Sequence, residues 1–133
     1  NLWIRLRTIT KERRRMRIMT VRECYESLGE DYETVAERFG DDAMVRHFCG
    51  RFLQDGSFAA LTEALKTGSA EAAFRAAHTL KGVCLNLGFS CLGKAASELT
   101  EYLRGRGDTV GYDALYSAVA TEYRRVADTL QVL

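Results

Sequence analysis

The residue types best suited to chemistry cluster in one stretch, Ala76-Ala77-His78-Thr79-Leu80-Lys81-Gly82, inside a helical run from about Ser69 to Leu87. Imidazole can be both neutral and nucleophilic near pH 7. At 100° per residue, Ala73, Ala77, Leu80, Cys84 and Leu87 align as one apolar stripe. His78 sits roughly 160° from the centre of that stripe and so points outward. Lys81 and Gly82, at i+3 and i+4, share its face. Phe74 and Leu85 share it too, although a face turned to water has no need of apolar groups. A lone helical histidine is ordinarily solvated decoration. One set beside a cation, a missing side chain and two apolar groups reads as a reactive surface on which something docks.

The elements that must hold this surface are helical throughout. The chain has no proline and few β-branched runs. Thr20-Val21-Arg22-Glu23 matches a capping box and opens a short helix ended by Gly29. A second runs from about Tyr32 to Phe39 and ends at Gly40. Both are too short to stand alone and should pack over one end of a larger bundle. Asp41 or Asp42 caps a helix with the stripe Val45, Phe48, Cys49 and Phe52. Asp55-Gly56-Ser57 is a kink or brief turn, after which Phe58, Leu61 and Leu65 continue to Thr67-Gly68. Ser69 caps the His78 helix and Gly88 ends it. Ser90 then caps a run with Leu92, Ala96, Leu99 and Leu103 inward. Asp108 opens the last helix, with the stripe Tyr112, Leu115, Val119, Tyr123, Val126, Leu130 and Leu133. Short connections make neighbours antiparallel. The expected fold is all-α: an antiparallel up-down four-helix bundle with short N-terminal capping helices, over residues 19–133.

His78-Thr79-Leu80-Lys81-Gly82 followed by Asn86-Leu87-Gly88 resembles the signature of histidine-containing phosphotransfer (HPt) domains, the helical bundles that relay phosphoryl groups in two-component signalling. In pattern the resemblance covers about residues 40–132; its specific part is His78 to Gly88. It implies that His78, through the outer Nε2, accepts a phosphoryl group and exchanges it with a receiver-domain aspartate. Lys81 would then offset part of a phosphoryl charge of about −2, worth ~0.5 kcal/mol on an exposed surface. Gly82 costs ~1 kcal/mol of helix stability relative to Ala and gives a partner clearance over His78. Phe74, Gly82, Leu85 and Asn86 would form the docking surface, Asn86 either as an interface hydrogen-bonder or as a solvated residue. The partners implied are a response-regulator receiver domain and a hybrid sensor kinase. The chain itself needs no cofactor, since Mg²⁺ is expected on the receiver.

Composition agrees with a single globular domain: 133 residues, 47% hydrophobic, 28% charged and no apolar run near membrane-spanning length. No membrane insertion is expected. Cys24, Cys49, Cys84 and Cys91 form no Cys-x-x-Cys pair and read as small core hydrophobes in a reducing compartment, so a cytoplasmic location is expected. Residues 1–18 carry seven basic side chains against Glu12 alone. They read as an upstream extension or flexible leader, with Met19 as a natural start. The rest of the chain, holding 12 of the 19 basic and 17 of the 18 acidic groups, has a net charge of −5.

Other functions fit less well. The chain lacks a Gly-rich phosphate loop and so reads as a relay intermediate rather than a kinase. The main alternative is a helical docking module that binds receivers or other signalling proteins without carrying phosphate. A metal or hydrolytic enzyme would need ligand spacing that His78, His47 and the cysteines do not supply. His47, beside Arg46 and with no small neighbour on its face, reads as ordinary surface. Nucleic-acid binding would rest on residues 1–18 alone and is not expected. A monomer is expected.

Overall fold

The computed structural model describes residues 19–133, and the expectation of a basic leader over residues 1–18 lies outside the described residues. Among these the chain is all-helical, without a strand. Two short helices, α1 (Val21–Leu28) and α2 (Tyr32–Phe39), precede α3 (Asp42–Gln54), α4 (Ser57–Thr67), α5 (Ala70–Leu87), α6 (Ser90–Leu103) and α7 (Asp113–Leu130).

Local chemistry sets most of these boundaries. The capping box of α1 is present: the Thr20 hydroxyl accepts the Glu23 N–H at 3.1 Å, and the Glu23 carboxylate accepts the Thr20 N–H at 3.2 Å. Asp31 caps α2 and Asp41 caps α3, the latter taking the Met44 N–H at 2.8 Å. Asp55 accepts the Ser57 N–H at 2.8 Å, which divides α3 from α4. Ser69 opens α5 by accepting the Ala72 N–H at 3.3 Å. At its other end the Phe89 N–H donates to the Cys84 carbonyl (2.9 Å) and the Gly88 N–H to the Leu85 carbonyl (3.4 Å). This is a Schellman closure. It needs a left-handed residue, and Gly88 supplies it at φ 76°.

Helix α5 lies between α4 and α6; α7 packs on α6, and α3 reaches both α5 and α7. The stripe Ala73, Ala77, Leu80, Cys84 and Leu87 is buried, facing Leu92, Ala96, Leu99 and Leu103 in one core that also takes in Val45, Phe52, Leu61 and Val119.

The short N-terminal helices act on the turn between α5 and α6. Tyr25 of α1 is fully buried and donates its hydroxyl to the Leu87 carbonyl at 2.6 Å. Arg38 of α2 donates to the Leu85 carbonyl at 3.1 Å and to that of Asn86. Both satisfy orphan carbonyls at the end of α5, and Arg38 places a cation where the helix dipole is negative. Glu30 does the converse for α6, accepting the Cys91 N–H at 3.2 Å and the Ser90 hydroxyl.

Three expectations are corrected. Ser90 is not the cap of α6: it is the first helical residue and donates to Glu30, whose carboxylate takes the capping role from across the fold. Asp108 does not open the last helix. It closes a local turn by accepting the Val110 N–H at 3.1 Å, and α7 starts at Asp113. Cys91 is exposed, while Cys24, Cys49 and Cys84 are buried free thiols. Burial pushes the Cys49 thiol up to about 11 and the Cys84 thiol up to about 12. A disulfide-exchange reagent should therefore titrate one fast thiol, at Cys91, in the native protein. All four should react only after denaturation, and a second fast thiol before unfolding would contradict this packing.

Tyr25→Phe tests the turn. It leaves the Leu87 carbonyl buried without its donor, a loss of about 1–3 kcal/mol. Urea unfolding should show a lower midpoint with an unchanged slope. An unmoved midpoint would mean that the hydrogen bond contributes nothing.

Candidate functional site

His78 lies on the outer side of α5 and is exposed. One turn towards the N-terminus, the Phe74 ring is nearly parallel to the imidazole, 12° between planes and 6.0 Å between centroids. Phe74 is half-buried rather than fully outward, because its inner edge packs on the core. Its ring also lies under the side chain of the residue that caps the C-terminus of α6: the Arg104 guanidinium carbon is 5.0 Å from its centroid, a cation–π distance.

Arg104 is fixed by Glu101, one turn earlier on α6. Its Nε and Nη2 donate to the two carboxylate oxygens at 3.0 and 2.9 Å, a bidentate pair. These hydrogen bonds hold the Glu101 carboxyl below its ordinary range, with further lowering from the charges of Arg104, Lys81 and His78. Glu101 is thus within electrostatic reach of both Lys81 and His78. Neither it nor Arg104 was singled out from sequence. A Glu-x-x-Arg pair near a helix end is common surface chemistry, and nothing local says which residues the neighbouring helix will present to it.

The other residues of the stretch are distributed along the same side of α5. Lys81 is half-buried. Gly82 is exposed, and a Cβ built on it would meet nothing within 4 Å. Leu85 leans on α6, where a Cβ on Gly93 would lie 3.0 Å from its Cδ2, yet it keeps 50% of its surface exposed. Asn86 is exposed and borders a cleft of about 490 Å³ between α3 and α5, lined also by Phe48, Arg51, Asp55 and Val83. Thr79 is exposed on the side of α5 that faces α4, beside Gly56 and Ala60. His47 belongs to α3, edge-on to Phe48 at 5.4 Å between centroids. Among the described residues no three His, Cys, Asp or Glu side chains converge as a metal site would require. No described helix is long and apolar enough to cross a membrane.

Gly82→Ala separates the helix from the surface. Open space means no steric cost, so the change should stabilise the fold by about 0.5–1 kcal/mol through helix propensity. Thermal unfolding is the check. A destabilised variant would show that something already occupies that space.

The fold and this surface define a helical domain presenting an exposed imidazole, flanked by a lysine and a glycine, on the outer face of a helix packed between two others. The chain belongs to the Hpt domain family, whose model matches residues 44–129. That span includes all of α4, α5 and α6; α1 and α2 lie outside it. At the family level this is phosphotransfer in two-component signalling, by domains that interact with receiver and kinase partners. No curated protein and no solved structure matched the chain.

Proposed function

We propose that the chain is a histidine phosphotransfer protein in which His78 accepts a phosphoryl group and exchanges it with a receiver-domain aspartate. The observation that carries this reading is the exposed His78 imidazole, with Lys81 and the open Gly82 on its face, inside the span matched by the family. In the step proposed, an imidazole nitrogen attacks the phosphorus of the receiver's aspartyl phosphate. An N–P bond forms as the acyl O–P bond breaks, and the aspartate leaves as a free carboxylate. Lys81 offsets part of the charge of about −2 that arrives. Mg²⁺ sits on the receiver, and this chain supplies the nucleophile and the docking surface of Phe74, Gly82, Leu85 and Asn86. Helices α3–α4 as one interrupted arm, with α5, α6 and α7, form the antiparallel up-down four-helix bundle that carries it. The partners proposed are a response-regulator receiver and a hybrid sensor kinase, met in the cytoplasm by a monomer.

The half-exposed Leu85 beside open space at Gly82 also suits a docking module without chemistry. Incubation with a ³²P-phosphorylated receiver distinguishes the two. Acid-labile, base-stable label on this chain is expected for the relay. Binding by titration with no label would make it a docking module, and neither label nor binding across several receivers would remove both readings.

A further inference from the structure

We infer that the Glu101–Arg104 pair at the C-terminal end of α6 is an electrostatic latch on the His78 site, holding Arg104 as a reserve cation that is handed to the phosphoryl group when His78 carries one. This deepens the relay reading and rests on it.

Three contacts place the latch. Glu101 grips Arg104 through two charge-assisted hydrogen bonds, at 3.0 and 2.9 Å. Arg104 lies over Phe74 at 5.0 Å, and Phe74 in turn is parallel to His78 at 6.0 Å. Phe74 is therefore a common neighbour of the guanidinium and the imidazole, and Arg104 is exposed, so its side chain is free to rotate towards His78. Lys81 and Arg75, three residues to either side of His78 on α5, are the neighbouring cations there, and Arg75 is paired with Glu71 at 3.6 Å.

The charges make the arrangement responsive. Before phosphorylation Glu101 neutralises Arg104, and the pair adds little net field at His78. A phosphoryl group brings about two negative charges and three strong acceptor oxygens onto a surface that already holds a carboxylate. The two anions repel, while the guanidinium fork suits phosphate oxygens as well as carboxylate. Arg104 then moves from Glu101 towards the phosphoryl oxygens. Glu101 sets the sign of the device: it competes for the cation and opposes the incoming charge.

Two neutralising substitutions should consequently act in opposite directions. Glu101→Gln frees Arg104 and removes a like charge, so the equilibrium share of label on this chain should rise about threefold, and Arg104→Gln should lower it by a similar factor; exposed charge pairs are worth this much and no more. Arg104→Lys keeps the charge and should recover part of the loss. The experiment measures partition of ³²P between a phosphorylated receiver and the wild-type and variant chains at low and high salt, with thermal unfolding recorded for each. Opposite shifts that shrink in high salt support the latch. Equal partition in all chains, or shifts of the same sign that follow lost stability, would overturn it while leaving the relay intact. A wild-type chain that takes no label would overturn the relay, and the latch with it.

Discussion

Replacing His78 by Gln should abolish phosphoryl acceptance, lowering acid-labile label by more than about 100-fold, because an amide offers no nucleophilic nitrogen in place of imidazole. The fold should not notice. His78 is exposed, and its nearest aromatic neighbour stands 6.0 Å away between ring centroids. Exposed substitutions of this kind stay within about 0.5 kcal/mol of the parent. The thermal midpoint should hold, and binding to an unphosphorylated receiver should persist, since Leu85 and the clearance over Gly82 are untouched. Measured together, label, midpoint and affinity make the result decisive. Label retained on His78→Gln would move the acceptor elsewhere, with exposed His47 on α3 the first position to examine.

The largest structural effect belongs to Gly88→Ala. A residue with φ 76° holds a conformation that costs an L side chain about 1–2 kcal/mol. Here the added methyl also collides, since a Cβ at Gly88 would lie 2.3 Å from Cγ2 of Val35. Overpacking in a buried contact costs about 1–3 kcal/mol. The two costs together come to roughly 3 kcal/mol, or on the order of 10 °C in midpoint for a domain of this size. Relief would require α2 to withdraw, and α2 carries Arg38, which binds the last carbonyls of α5. The loss should therefore appear as a lower midpoint and as faster amide exchange at Gly88 and Phe89, whose N–H groups close the helix. A variant as stable as the parent would show that α2 yields without consequence. Gly82→Ala, on the same helix with open space above it, is the matched control and should move the other way.

The contrast between these two glycines also marks where sequence reasoning reaches its end. Gly88 was legible as a helix stop, because a stop is a matter of which residues tolerate the left-handed turn after an apolar stripe. That Val35 of another helix presses on it was not. The same holds for Cys91: its residue type suggested a small core hydrophobe, whereas its position in the first turn of α6 leaves it in solvent.

Helix identity, the buried stripe of α5 and the outward direction of His78 were determined by the sequence alone, since each depends on spacing over three or four residues and on caps such as Thr20–Glu23 and Ser69. Tertiary structure alone decided what each surface meets. Glu30 rather than Ser90 caps α6, Tyr25 and Arg38 close α5 from helices far away in the chain, and Arg104 covers Phe74 beside the imidazole. Such contacts are set by the register in which two helices pack. Register comes from the fit of whole side-chain surfaces, and a local pattern of residues carries no record of it.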